Sequence, residues 1–196
     1  MGPCPIKPDL PEVSPERLRA AVLSVLSTAA LPRPLRGRLP SSVNLRTGAE
    51  ETIKETPRDP RAAEYFQSLL EIAYLVASAD GLADAERDAL ADLVEHATGH
   101  GVQHDELRRH FTVLDQACEA LGRHERIGRL ASNFEDPVAR EEALSFAALV
   151  AISDGHLGLP EVHALLELGE RLRFTDREVE EVLADVLARV REALET

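Results

Sequence analysis

Residues 147–161 read AALVAISDGHLGLPE, and this stretch has a partner 74 positions earlier in the chain. The partner, residues 73–86, reads AYLVASADGLADAE. The identical pairs at this offset are Ala73/Ala147, Leu75/Leu149, Val76/Val150, Ala77/Ala151, Asp80/Asp154 and Gly81/Gly155. The residue pattern of each copy predicts an apolar helix of small residues that ends at Asp-Gly. A short turn and a second helix follow it. We interpret the two copies as an internal duplication of one helix-turn-helix unit.

Helical periodicity continues through the chain beyond residue 60. One run of apolar residues at spacings of three and four is Leu107, Phe111, Leu114, Cys118 and Leu121. Asp-Pro pairs at 59–60 and 136–137 predict helix starts, and residues 175–178 form a capping box before the last helix. No segment convincingly predicts a strand. The expected fold is all-α, with about seven helices in a pseudo-twofold bundle.

Gly169 lies inside the predicted helix that begins at Pro160. A glycine in a helix interior costs about 1 kcal/mol relative to alanine. We therefore expect a second helix to cross closely at this position.

Composition divides the chain near residue 60. Ten of the 12 prolines fall in residues 1–60, with nine basic and seven acidic side chains. Residues 61–196 carry 13 basic and 28 acidic side chains. We predict an N-terminal extension over residues 1–60 with one short helix at 15–30, and a helical domain over 61–196 that unfolds cooperatively alone. The acidic domain repels phosphate backbones, so nucleic acid is not an expected partner.

The location of the protein is predicted from segments that the sequence lacks. No apolar run approaches the ~20 residues of a membrane span, and the N-terminus has no apolar core typical of a signal peptide. Two cysteines give no disulfide framework. We expect a cytoplasmic protein with protein partners that the sequence does not identify.

The two Asp-Gly turns carry the candidate site. Asp80 and Asp154 follow helices at the end where the macrodipole disfavours negative charge, whereas Glu86 and Glu161 open the next helices, where it is favoured. If the two units pack about a pseudo-twofold axis, these four carboxylates converge. All-oxygen ligands favour a hard cation, Ca²⁺ or Mg²⁺. Alternatively, each turn is solvated, its Asp caps the following helix, and its Glu completes a local hydrogen bond without metal.

The turns and the residues after them resemble a known family. The matching motifs are Ala79-Asp80-Gly81 with Glu86, Ser153-Asp154-Gly155-His156-Leu157 with Glu161, and Leu168, Leu172, Thr175-Asp176 and Val179. Over about residues 62–194 the chain is similar to the TerB-like family of tellurite-resistance proteins. The resemblance implies an all-helical, pseudo-symmetric domain with an acidic cation site, associated with bacterial responses to tellurite and other chemical stress.

Carried onto this sequence, the resemblance places the acidic positions at Asp80, Glu86, Asp154 and Glu161. The first copy has one residue fewer than the second between its Asp-Gly pair and its Glu, so Asp84 is an alternative to Glu86. TerB-like domains also occur attached to other proteins as interaction modules.

The sequence therefore supports three hypotheses of different classes. The first is a non-catalytic TerB-like binding module with a divalent-cation site. The second is a metal-free helical adaptor. The third is a metal-dependent hydrolase at the acidic cluster, which is less favoured because no nucleophile elbow, phosphate-binding loop or Cys-His pair is present.

Overall fold

The computed structural model describes residues 13–28, 60–97 and 102–195. Within these ranges the chain forms eight α-helices, and a 3₁₀ turn, Ile152–Asp154, follows the sixth. They are α1 (Pro15–Thr28), α2 (Pro60–Ala77), α3 (Asp84–Ala97), α4 (His104–Leu121), α5 (Arg123–Ala131), α6 (Pro137–Ala151), α7 (Leu159–Arg171) and α8 (Asp176–Glu195). These ranges contain no strand, so the all-α prediction is confirmed. Most of the proline-rich extension lies outside the described residues.

Local sequence signals start the helices where they were expected. Asp136 accepts hydrogen bonds through Oδ1 from the backbone N–H groups of Val138 and Ala139, at 3.1 and 2.9 Å. At the start of α8, Glu178 Oε2 accepts from the Thr175 N–H at 2.7 Å, and Thr175 Oγ1 accepts from the Glu178 N–H at 3.3 Å. Both arrangements satisfy N–H groups that a helix start otherwise leaves unpaired.

The two helices that precede the acidic turns, α2 and α6, share the most extensive helix–helix contact among the described elements. The four alanines expected to permit close approach, Ala73, Ala77, Ala147 and Ala151, are all buried. The pairing places the two copies side by side, as the pseudo-twofold hypothesis requires. The duplication itself stays an interpretation of the sequence.

One face of α2 is polar although it is buried against α4 and α5. Glu71 accepts a hydrogen bond from Arg126 Nη2 at 2.5 Å, and the Tyr74 hydroxyl donates to Asp115 Oδ1 at 2.7 Å. Arg87 Nη1 on α3 donates to the other oxygen of Asp115 at 2.5 Å. Because buried polar groups are costly unless paired, these bonds fix how α4 and α5 sit on α2.

The helix predicted near residues 15–30 is α1, and it is packed into the main core. Its buried side chains, Leu18, Ala21, Val22, Val25 and Leu26, belong to the same hydrophobic cluster as the helices beyond residue 60. Helix α1 contacts α8, α3 and the 3₁₀ turn. At its start, Arg17 Nη2 donates to the backbone carbonyl of Leu194 at 3.1 Å. Composition alone does not predict this packing.

The close crossing expected at Gly169 is confirmed. A Cβ atom at this position of α7 would overlap with Cγ2 of Val179 on α8. Val179 is buried, and its β-branched side chain has little freedom to move aside. The absent side chain of Gly169 thus allows α7 and α8 to meet.

We expect Gly169→Ala to lower the free energy of unfolding by about 1–3 kcal/mol, because overpacking outweighs the gain in helix propensity. Chemical denaturation measures this. Gly128→Ala is the matched control, since a Cβ on that helical glycine meets only ordinary contacts with Arg171 at 3.6 Å or more. Adding Val179→Ala should remove the overlap, so the double variant should be more stable than the sum of the single effects. Additive effects would contradict the clash.

Candidate acidic binding site

The two acidic turns have the same local structure. Helix α2 ends at Ala77 and reaches Gly81 with φ +92°, and α6 ends at Ala151 and reaches Gly155 with φ +94°. Glycine adopts this left-handed conformation without the steric cost that a Cβ brings. The α-helices end three residues earlier than the predicted Asp-Gly ends, at Ala77 and Ala151, and the Asp-Gly pairs close the turns that follow them.

Glu86 and Glu161 play the same local role in the two copies. Glu86 Oε2 accepts a hydrogen bond from the Ala83 N–H, and Glu161 Oε2 accepts one from the Gly158 N–H, each at 2.7 Å. The missing residue in the first turn thus does not displace Glu86 from the position that corresponds to Glu161. Asp84 lies instead toward α4, with its carboxylate 4.0 Å from Arg108 Nη2.

The turns of the two copies meet at one place. A cavity of about 140 Å³ is lined by Glu86 of the first copy, by Asp154 and Glu161 of the second, and by Arg19 of α1. Asp80 approaches from the first copy: its Oδ2 and Glu161 Oε2 both lie 3.6 Å from the point where a Cβ on Gly158 would stand. The structure therefore brings all four predicted carboxylates to one region.

Burial, with the neighbouring charges as smaller causes, raises the pKa of two of these carboxyl groups. Burial raises the pKa of Glu161 to about 8, and the charges of Asp154, Asp80 and Glu86 act in the same direction against the hydrogen bond from Gly158. Asp154, by contrast, is an exposed residue. Partial burial is nevertheless the largest cause raising its pKa; the charge of Glu86 adds to it, and the hydrogen bond from the His156 N–H opposes it.

Basic and backbone groups offset the unfavourable position of the two aspartates. Arg123 of α5 donates through Nη2 to the backbone carbonyl of Ser78, next to the C-terminus of α2. In the second turn the His156 N–H donates to Asp154 Oδ1 at 2.8 Å. The first contact reduces the negative partial charge that the helix end presents to Asp80.

The four carboxylates meet only part of what a metal site requires. Carboxylate oxygens match a hard cation in chemistry. However, in the described ranges no group of three Asp, Glu, His or Cys side chains is arranged to hold a metal ion. The four carboxylates are neighbours, and two of them already accept capping hydrogen bonds through one oxygen.

Sequence reasoning did not include Arg19 in this site. It stands on α1, in the extension that composition separates from the domain, and no motif joins it to the acidic turns. Only the packing of α1 against the 3₁₀ turn and α3 brings it to the cavity.

Together the fold and the cavity define a class: an all-helical domain in which two helix-turn-helix units direct acidic turns toward one cavity. The chain matches the family model of tellurite resistance protein TerB over residues 59–184. It therefore belongs to the TerB family, which confirms the resemblance seen in its motifs. Comparison with curated proteins gave no match, and comparison with solved structures gave none. In the described part of the chain, no helix has the length and apolar character needed to cross a membrane.

Proposed function

We propose that this chain is a non-catalytic, cytoplasmic binding module whose acidic cavity binds a divalent cation, Ca²⁺ or Mg²⁺. The ligands would come from Asp80, Glu86, Asp154 and Glu161. The observation that carries the proposal is the convergence of carboxylates from both copies on one region. Membership of the TerB family supports a role in the response to tellurite or other chemical stress.

The energetic argument rests on like charge. Two unit charges 4 Å apart interact by ~4 kcal/mol at an effective dielectric constant near 20. A divalent cation would relieve this repulsion and would displace the proton that Glu161, with its raised pKa, holds at neutral pH. The capping hydrogen bonds engage Oε2 of Glu86 and of Glu161. The second carboxylate oxygen of each residue can therefore bind a cation. An occupied cavity would then fix how the two turns sit and select the protein partner.

A metal-free adaptor is the second candidate, and specific observations favour it. The capping hydrogen bonds of Glu86 and Glu161 give both residues a structural role without an ion. No three potential ligand side chains in the described ranges form a ready metal group. On this hypothesis the acidic turns stabilise the two helix junctions, and the helical surface alone recognises the partner.

Ion binding should stabilise the full chain. At an ion concentration 100 times the dissociation constant, the free energy of unfolding should rise by ~2.7 kcal/mol. This gain raises the melting temperature by roughly 5–10 °C. Ca²⁺ and Mg²⁺ should be compared at fixed ionic strength, because a net charge of −13 also responds to screening. Calorimetry and elemental analysis give the ion and its stoichiometry.

The double variant Asp80→Asn with Asp154→Asn should abolish the ion-specific gain and keep the screening part. Without divalent ions it should be as stable as the parent or more so, because it removes crowded charge. Glu119→Gln with Glu141→Gln is the matched control. Both glutamates are exposed and lie outside the cavity, and the two substitutions remove the same charge as the aspartate variants. Equal gains in all three proteins would refute the cation site and favour the adaptor.

A further inference from the structure

Helix α1 fills a groove that other helices of the domain form, and we call this site the α1 groove. Its walls are α3, α8 and the 3₁₀ turn between α6 and α7. Among the described elements, the contact of α1 with α8 is the most extensive after that of α2 with α6. The apolar side chains that α1 buries are at most 4% exposed, and they are Leu18, Ala21, Val22, Val25 and Leu26. Their spacing of three and four is that of an amphipathic helix seated in an apolar groove.

The α1 groove lies partly outside the segment matched to the family. The match covers residues 59–184, whereas α1 ends at residue 28 and α8 continues to residue 195. Near the end of α8, Arg17 Nη2 donates to the Leu194 carbonyl at 3.1 Å. Leu18 Cδ2 is 3.3 Å from the point where a Cβ on Gly155 would stand, so α1 also packs on the second Asp-Gly turn. The contact thus joins an element from outside the family match to the family domain.

The covalent connection between α1 and α2 does not determine which copy of the groove α1 occupies. It comprises residues 29–59, which are 31 positions. At full extension a segment of this length reaches about 100 Å. The contacts of α1 are the same in its own groove and in that of a second copy. Its own groove is favoured because a tethered helix meets it at an effective concentration of about 1 mM.

We propose that the α1 groove is an interface between two copies of this chain, each of which seats its α1 in the groove of the other. Reciprocal exchange fills both grooves and closes a two-fold dimer without any new apolar contact. The second copy is the favoured occupant because α1 is the segment whose apolar face already fits the groove. Since Arg19 of α1 lines the acidic cavity, exchange also makes each cavity a site built from two copies.

Two substitutions on α1 distinguish exchange from other kinds of association. Val22→Asp places a charge where the parent side chain is 0% exposed, so α1 should no longer seat in either copy. Ala20→Asp adds the same charge two positions away, on the exposed face of α1. It is the matched control, because both variants have the same net charge.

The first measurement is the oligomeric state of the full chain by sedimentation equilibrium, from about 10 µM to about 1 mM. Samples are first warmed below the melting transition so that α1 can exchange. The parent and Ala20→Asp should be monomeric at the low end and contain comparable amounts of monomer and dimer near about 1 mM. Val22→Asp should not form this dimer. A parent that stays monomeric throughout, or a Val22→Asp chain that dimerises equally, would overturn the proposal.

The second measurement remains informative if the Val22→Asp chain folds poorly. A synthetic peptide of residues 13–28 is titrated into this chain and into the parent, and calorimetry and thermal melting follow its binding. The peptide should bind the Val22→Asp chain at least about tenfold more tightly, because in the parent its own α1 competes for the groove. It should also restore a cooperative melt if the variant lacks one. A peptide that itself carries Val22→Asp should bind neither chain.

The outcomes separate the possible occupants of the groove. If the peptide binds both chains equally, or does not bind the Val22→Asp chain, α1 does not seat in a second molecule and the proposal is refuted. If the peptide binds as expected while the parent stays monomeric, the second copy is excluded, and a helix of another protein becomes the occupant. Neither measurement uses Ca²⁺ or Mg²⁺, so failure of the cation site would leave both results unchanged.

Discussion

A chain shortened to residues 59–196 is expected to melt more than about 10 °C below the full chain, or to lose its cooperative transition. The shortened chain keeps the predicted start of α2 but lacks α1. In α1, two leucines and two valines are buried in the main core, each worth roughly 1.5–3 kcal/mol. Their loss would also expose the apolar surface that they cover on α8 and α3.

A second deletion, of residues 1–12, is the matched control because it leaves α1 in place. It should melt like the parent, as followed by circular dichroism and by calorimetry. Composition predicts instead that the domain beyond residue 60 unfolds cooperatively alone. A full and unchanged transition for residues 59–196 would support the compositional boundary and would mean that α1 adds little stability.

Glu142→Gln is expected to stabilise the protein at alkaline pH and to have little effect near pH 4.5. Glu142 lies on α6 and is 1% exposed. The Tyr65 hydroxyl donates to its Oε2, and no described group donates to its buried Oε1. Burial raises the pKa of Glu142 to about 8, against the hydrogen bond from Tyr65 and with a smaller contribution from the charge of Asp136.

The direction of this pH dependence follows from proton linkage. The folded state holds the Glu142 proton more tightly than the unfolded state, whose carboxyl has a pKa near 4.5. Stability contributed by the neutral carboxyl is therefore complete below about pH 4.5 and is lost as pH rises toward about 8. A glutamine is neutral throughout and can still accept from Tyr65. The gain in unfolding free energy of Glu142→Gln over the parent should grow over this pH range and reach a few kcal/mol.

Glu141→Gln is the control for this experiment, because Glu141 is the exposed neighbour of Glu142 on the same helix. Denaturation of both variants and of the parent should be measured from pH 4.5 to 9. Glu161 also has a raised pKa in this window, but it is present in all three proteins and cancels in the differences. A gain for Glu142→Gln that does not change with pH would rule out burial of charge as its cause.

Much of the fold could be predicted from sequence because its signals are local. Asp136 and the Thr175–Glu178 pair act on N–H groups no more than three residues away, so their roles are visible in the sequence. The same holds for the glycines that close the turns after α2 and α6, since only a local left-handed conformation is required. The sequence thus determined the helices, most of their starts and the two acidic turns, whereas the first helix and the two helices before the turns end a few residues earlier than predicted.

The candidate site was predicted in part. The repeat at an offset of 74 residues placed equivalent carboxylates in equivalent turns, and the packing of α2 on α6 brings the turns together. The shared role of Glu86 and Glu161 could be anticipated from their spacing of three residues from the groups that they cap.

Only the tertiary structure decided the position of α1, the presence of Arg19 in the cavity and the burial of Glu142 beside Tyr65. Tyr65 and Glu142 are 77 positions apart in the chain. Each of these features depends on side chains from helices distant in sequence, and the apolar face of α1 shows that it packs without showing where. A helical pattern specifies which face is buried. The partner of that face is chosen by the sum of many weak contacts, which forms only when the whole core is assembled.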